Sequence, residues 1–537
     1  MSSFFSYLLL LITLVSSPGA AVPSVDDLAA KPRELSRQLA RQGTWTPAEL
    51  QSLLTLQLVD PERFVSDATF RARVLEALPR SLDPSAPPRL RDELLFELNQ
   101  VRGIDFAASE AIETGWGAVP RRALERRVPF PAGTADRLRF FDEAEDPLAA
   151  SVYSLPSFFF SPEAAESFLA GVRRAAPDRT LIVLTDVPLR RRLEGSGLKL
   201  RLLETYGRPY SPWPRDPFSL VRSPSGAVRV LVRPNRQPER EEDASLGPEL
   251  IQNLPEDLDR AWGGAAWAEA PVPFHNGQVL LTREAAWITL HTLEPHVLSA
   301  LKLDRVPVET FSDAKGIDRY VTAVEKAAKE LETLYGRPVR FVHPLRSVDG
   351  PTLMRRFAGG AGYDLDSIVT LLPGKKALVA DADAGRKLLA KMTPEDWKSL
   401  REGYGLQPTG EALAPSVALD GFLNLVADHL RKEGMEVRRL PLLAVPVALL
   451  RNREGLTHDE FLITWNNVVA ETRDGRLRAE GFASLIPTGD RMARETFAAA
   501  GAQLDLFPPL VRSVILNGGY RCASNHVRGV AAGRASH

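Results

Sequence analysis

The sequence predicts an α/β fold over residues 151–530, preceded by a helical module over residues 25–117. Three observations predict it. At 537 residues the chain exceeds one ordinary core, and at about 100–200 residues per domain it divides into two to four units. Leucines recur at three- and four-residue spacing before residue 117, whereas short apolar runs alternate with helix-like segments after residue 151. Apolar residues make up 44% and charged residues 25%, values that support packed cores without staples. The 67 basic and 68 acidic side chains nearly cancel, so no global field draws the chain to nucleic acid or to an anionic membrane.

Residues 1–21 read as a secretory signal. Tyr7–Val15 is apolar, and Ser16-Ser17-Pro18-Gly19-Ala20-Ala21 supplies small residues suited to cleavage near Ala20 or Ala21. The run is too short for a permanent span. Met1–Ser6 carries no Lys or Arg, a departure from the usual signal, and the only cysteine lies far from the cleavage site, which excludes a lipoprotein anchor. The expected location is therefore secreted or periplasmic, with no membrane attachment after cleavage.

In the helical module, Leu35, Leu39, Leu50, Leu53, Leu54 and Leu58, then Phe70, Val74, Leu75 and Leu78, follow helical spacing, and Thr46-Pro47-Ala48-Glu49 supplies a cap, a proline at N1 and an acid at N3. No chemistry is visible there. Residues 118–150, with Pro120, Pro129, Pro131, Gly133 and Pro147 among charged residues, read as a linker. Beyond it, strands are expected at Thr180–Leu184, Leu198–Leu203, Val228–Val232, Gln278–Leu281, Val339–Val342, Ser367–Leu372 and Ala377–Val379. Helices are expected at Glu163–Arg174, Leu189–Leu193, Asp318–Tyr335 and Leu419–Lys432. Arg190-Arg191-Arg192 reads as a solvated helix face.

Cys522 is the one cysteine, so it is either buried filler or a reactive nucleophile; a lone thiol makes no internal disulfide and no cysteine-based zinc site. Gly518 and Gly519 before it permit close backbone approach. Upstream, Trp213-Pro214-Arg215-Asp216 follows a strand, where an Arg–Asp pair is either structural or ligand-binding. His275-Asn276-Gly277-Gln278 is a polar tight turn feeding an apolar strand. Gly359-Gly360-Ala361-Gly362-Tyr363-Asp364-Leu365-Asp366 enters another strand, whose period of two puts Asp364 and Asp366 on one face. Two adjacent carboxylates call for a cation between them, a metal or a guanidinium. The glycines form no phosphate cradle, since neither Gly-Lys-Ser/Thr nor GxGxxG follows. His291 and His296 are five apart with Pro295 between them, which excludes a zinc helix, and no Gly-x-Ser-x-Gly elbow is present.

In order, these stretches resemble the motifs of the guanidine-modifying (pentein) superfamily, and within it the catalytic domain of the protein-arginine deiminases, with agmatine deiminase second. Trp-Pro-Arg-Asp216, the His-Asn-Gly-Gln turn, Asp364-Leu-Asp366, Asn466-Asn467, Phe507-Pro508 and Asn-Gly-Gly-Tyr-Arg-Cys522 are similar to the family's W-x-x-D, E-G-G-N, G-H-x-D, strand-leading N, F-P and G-G-x-x-C. The resemblance covers roughly residues 155–529. It implies a pentein-type α/β propeller of five ββαβ units with the site in a central channel. It also implies Cys522 as the thiolate that attacks a guanidinium carbon, and Asp216 and Asp366 as acceptors for the guanidinium nitrogens. Trp213, Asn276 and Asn525 are implied substrate-binding residues.

The activity implied is deimination of protein or peptide arginine to citrulline, with ammonia released through a Cys-linked thiouronium. Free arginine and agmatine are further substrates to consider. A guanidinium-binding protein without chemistry and an amidinotransferase use the same residues. The chain departs from the pattern at two positions: Asp364 stands where the family has the His of G-H-x-D, and His275 where it has the first acid of E-G-G-N. The exchange suggests that His275 lies opposite Asp364 and supplies the imidazole. His526, four residues past the thiol, is a second candidate imidazole or a surface residue. No cofactor is required by this chemistry. Protein-arginine deiminases use calcium bound by acids beside their first catalytic Asp, but here Pro217-Phe218-Ser219 follow Asp216.

Overall fold

The computed structural model describes the chain between residues 121 and 529, apart from stretches of which the longest are 233–242, 303–313 and 345–363. The signal segment, the helical module and the glycine run at 359–363 lie outside the described residues.

Among the described residues, five sheets share one strand pattern: an antiparallel pair, then a parallel neighbour reached through a helical crossover. In one sheet, β1 (Leu148–Leu155) pairs antiparallel with β17 (Ser524–Arg528) and parallel with β2 (Thr180–Thr185), which continues parallel to β3 (Arg201–Glu204). β4 (Phe218–Arg222), β5 (Val228–Val232) and β6 (Ala266–Glu269) form the next, and β7 (Val279–Leu281), β8 (Ala286–Ile288) and β9 (Val339–Phe341) another. β10 (Val369–Leu372), β11 (Lys376–Asp381) and β12 (Glu436–Pro446) repeat the pattern and add β13 (Glu460–Thr464). β14 (Val469–Arg473), β15 (Arg476–Phe482) and β16 (Ala502–Phe507) complete it. A parallel pair needs a long crossover, which is why a helix lies between its strands in sequence each time. Because β17 pairs with β1, the start and end of the described chain close one sheet.

The crossover helices follow from local sequence. In α1 (Pro162–Ala175), Ser161 accepts the Ala164 amide at 3.2 Å, proline occupies the first turn, and Ala165, Phe168, Leu169 and Val172 are buried. The long helix α2 (Ala314–Tyr335) buries Tyr320, Val324, Ala327, Leu331 and Leu334 at helical spacing. Beneath the α1 sheet, Arg179 is fully buried and pairs with Glu480 at 2.6 Å and Glu471 at 2.8 Å. Tyr520 donates to the same Glu480 at 2.8 Å, tying the segment before Cys522 to β15.

Three sequence expectations shift. The strand expected from Ser367 begins at Val369, because Leu365–Ser367 is a 3-10 turn. The strand expected at Leu198–Leu203 falls at Arg201–Glu204. Within residues 118–150, expected as linker, residues 138–150 pack into the body: Phe140, Phe141, Ala144 and Asp146 are buried, and Ala144 N–H donates to the Ala470 carbonyl. Arg190 and Arg192 lie on an exposed helix face, paired with Glu194 and Glu166.

Candidate active site

Each of the five sheets begins with an antiparallel pair, and just ahead of its leading strand stands one of the residues singled out above. Asp216 precedes β4, His275 precedes β7, Asp364 and Asp366 precede β10, Asn467 precedes β14, and Cys522 precedes β17. His275 and Asp364 are local equivalents. Each is an extended residue, φ −142° and −107°, that caps a three-residue 3-10 turn leading into its strand. Gly277 lets the two turns touch, since a Cβ there would stand 3.0 Å from Asp364 Oδ1.

The thiol is held from two sides. Asn467 Nδ2 donates to Cys522 Sγ at 3.2 Å and to Asp366 Oδ1 at 2.9 Å, while its Oδ1 accepts the Arg521 amide at 2.8 Å. Sγ lies 3.6 Å from Asp366 Oδ2. The two glycines upstream make this possible: a Cβ on Gly519 would stand 2.4 Å from Asn467, and one on Gly518 would stand 1.9 Å from Trp213 Nε1. Trp213 itself donates to Ser513 Oγ at 3.0 Å and stacks edge-on against Phe159.

Donor atoms of Asp364, Asp366 and Cys522 lie within 4.8 Å of one another. The strand geometry expected to align the two aspartates does not apply, because they flank Leu365 in the 3-10 turn; the turn brings them together instead. His275 stands between carboxylates, with Nε2 3.9 Å from Asp216 Oδ2 and Nδ1 3.9 Å from Asp364 Oδ1. His526 is neither at the surface nor free for this work: it is buried, with Nδ1 3.0 Å from Ser151 Oγ and Nε2 2.9 Å from Ser524 Oγ. Burial, reinforced by Arg528 and Arg179, holds its pKa well below the ordinary value.

Arg215 is not the partner of its neighbour Asp216; it pairs with Glu143 at 2.6 Å. Arg521 is buried, and its guanidinium donates to Asp366 Oδ2 at 2.7 Å, Glu143 Oε1 at 2.6 Å, and the carbonyls of Asn276 and Val279. Neither Glu143 nor Arg521 stood out in the sequence. Asn276 and Asn525, implied to bind substrate, hold the Trp213–Phe218 turn: Asn276 Nδ2 donates to the Arg215 and Phe218 carbonyls, and Asn525 Nδ2 to those of Pro214 and Phe218. With both amide hydrogens of each placed on backbone, these residues position the turn that carries Asp216.

Burial pushes the Cys522 thiol well above its ordinary pKa, and the Asp366, Asp364 and Asp216 charges push the same way, while the Asn467 hydrogen bond opposes them. Burial likewise raises Asp366 to about 6; Arg521 pulls it down and Asp216 pushes it up. Burial alone would raise Glu143, but Arg521 and Arg215 outweigh it and hold its carboxyl below the usual range. Three carboxylates thus surround a protonated thiol, an arrangement complementary to a cation.

Calcium does not fit the residues beside Asp216. Phe218 is core, Ser219 Oγ donates to Asn276 Oδ1 at 2.9 Å, and the one donor cluster among the described residues includes a thiol, whereas calcium takes six to eight oxygens.

No family model and no curated protein matches the chain by sequence. Solved structures do match. Agmatine deiminase of C. jejuni aligns with a TM-score of 0.46 and 10% identity over 74% of this chain and 99% of its own. Agmatine deiminase of Enterococcus faecalis aligns at 0.42 and 12% over 75% and 99%. A structure provisionally named a peptidyl-arginine deiminase aligns at 0.44 and 13% over 74% and 100%. These structures are members of the pentein superfamily.

Proposed function

We propose that this chain is a guanidine-modifying hydrolase, a deiminase with its five sheets set around a central site as in a pentein propeller. The observation that carries the reading is the convergence on Cys522 of Asp366 and Asp364, with His275 between Asp364 and Asp216. A planar guanidinium entering this pocket places nitrogens against Asp216 and Asp366 and its carbon against the thiol. Its positive charge offsets the three carboxylates that hold the thiol protonated, so binding itself favours the thiolate.

The thiol passes its proton to His275, which becomes the imidazolium, and the thiolate attacks the guanidinium carbon and forms a C–S bond. His275 gives a proton to one terminal nitrogen, the C–N bond breaks, and ammonia leaves a thiouronium on Cys522. The neutral imidazole then takes a proton from water as the water oxygen bonds to the same carbon. The C–S bond breaks, the thiolate is restored, and a ureido product departs. In sum, guanidinium and water become a urea and ammonium. Asp364 orients the imidazole through Nδ1, the part that exchanging the two residue types leaves to a carboxylate.

Arginine within a protein or peptide is the substrate we favour. Arg521, beside Cys522, spends all of its guanidinium hydrogens on Glu143, Asp366 and the carbonyls of Asn276 and Val279, so it offers nothing to a free α-carboxylate. The secretory signal expected at residues 1–21 puts such substrates within reach. Incubation with Nα-benzoyl-arginine amide, agmatine and free arginine, with colorimetric assay of the ureido product, tests the reading. Product from the amide that Cys522→Ser abolishes is the expected result; no product and no labelling of Cys522 by a haloacetamidine would overturn it.

A further inference from the structure

We propose that Glu143 is a positioning residue that sets the spacing between the two arms of the guanidinium clamp, Asp216 and Asp366. The inference rests on the deiminase reading for the identity of the clamp, and on geometry for Glu143. Glu143 Oε1 accepts from Arg215, the residue next to Asp216, and from Arg521, the residue next to Cys522, both at 2.6 Å. Its Oε2 accepts from Arg521 Nε at 3.2 Å, and Arg521 passes the link to Asp366 Oδ2 at 2.7 Å. One carboxylate therefore joins the turn ahead of β4, the turn ahead of β10 and the loop ahead of β17.

The mount of this carboxylate is stiff. Glu143 N–H donates to the Leu281 carbonyl at the end of β7, and the next amide, Ala144 N–H, donates to Ala470 in β14. Asp142, one residue earlier, pairs with Arg337 at 2.8 Å. Without the Glu143 charge, two buried guanidiniums would face each other across the gap, and like charges in a poorly solvated interior separate. Arg215 already feels this: burial and Arg521 lower its pKa to about 10, with Glu143 opposing. Glu143 touches no substrate in this arrangement; it acts through the two arginines.

The test is a double-mutant cycle with Glu143→Gln and Arg215→Met, read as kcat and KM on Nα-benzoyl-arginine amide. Displacing one arm by about 1 Å costs on the order of 100-fold in rate. Each single variant is expected to lose about that factor in kcat/KM, with kcat falling and KM rising together, and the double variant to lose no more than Glu143→Gln alone, because the link that Arg215→Met cuts is one of those that Glu143→Gln cuts. A purely structural role would scale kcat with the folded fraction and leave KM unmoved, which would overturn the proposal, as would Glu143→Gln within twofold of wild type or losses that multiply. If Glu143→Gln fails to fold, Arg215→Met alone decides by the same twofold limit. Calorimetric binding of the amide in the Cys522→Ser background separates this inference from the functional one. Wild type without turnover removes the deiminase reading, yet weaker binding on adding Glu143→Gln still supports the clamp. No binding to Cys522→Ser overturns both.

Discussion

Gly519→Ala tests most directly how the nucleophile is held. The new Cβ would stand 2.4 Å from Asn467 Cβ and Cγ and 2.5 Å from its Oδ1, where real Cβ contacts begin near 3.0 Å and are comfortable from 3.4 Å. Asn467 must therefore retreat by roughly 1 Å, and it is the residue that bonds Cys522 Sγ, Asp366 Oδ1 and the Arg521 amide. Overpacking of this kind costs about 1–3 kcal/mol of stability. The catalytic cost is larger, since displacement on that scale takes about 100-fold from the rate and losing the Asn467 bond pushes the thiol pKa further up. Gly421→Ala is the matched control: an added Cβ on that helix meets nothing within 4 Å, and alanine there should raise stability by about 0.5–1 kcal/mol with kcat unchanged. Urea melts give stability, and ureido formation from Nα-benzoyl-arginine amide gives kcat. A Gly519→Ala protein with kcat within twofold of wild type would refute the claim that Asn467 sets the thiol's position.

Four further outcomes follow from the buried charges described above. Since Asp366 must be ionised to hold a cation and its carboxyl is raised to about 6 by burial, kcat/KM should rise with pH through that region in a pH–rate profile. Its share of stability has the opposite sense: with the folded pKa above the unfolded one, the native state binds the extra proton, so this contribution falls as pH rises from about 4 to 6 and is level above, as urea melts across that window would show. Replacing the buried Arg179 by Met leaves Glu471 and Glu480 without their cation and should cost about 3–5 kcal/mol in the same melts, whereas a loss under 1 kcal/mol would mean that the pair contributes little. His275→Asn should lower kcat by about 100- to 10,000-fold while a haloacetamidine still labels Cys522; unchanged kcat would move the proton transfer to another group.

Much of this site could be read from the chain because the signals are local. Gly518 and Gly519 before a lone thiol announce a close approach whatever the partner proves to be, and Trp213 and Asn467 are those partners. His275 and Asp364 could be paired as exchanged residue types because each opens a turn that runs into an apolar strand. The same local reading left out the bonds of Asn276 and Asn525, whose side chains serve backbone carbonyls that no pattern of neighbours specifies. It also took residues 118–150 for a linker, since prolines among charged residues look solvent-bound until, as at Glu143, buried cations are there to meet them.

What the sequence determined alone was the alternation of strands and helices from periodicity, the close approaches from glycine, and the residue types on which the proposed chemistry draws. What only the tertiary structure decided was how the buried charges are compensated. Glu143 and Arg521 lie 378 positions apart, and either would read as a surface residue by itself. A charge is stable inside a protein only beside an opposite charge or its hydrogen-bond partners, so its meaning depends on which distant segment folds against it. The packing that brings β7, β14 and β17 around residue 143 makes that choice.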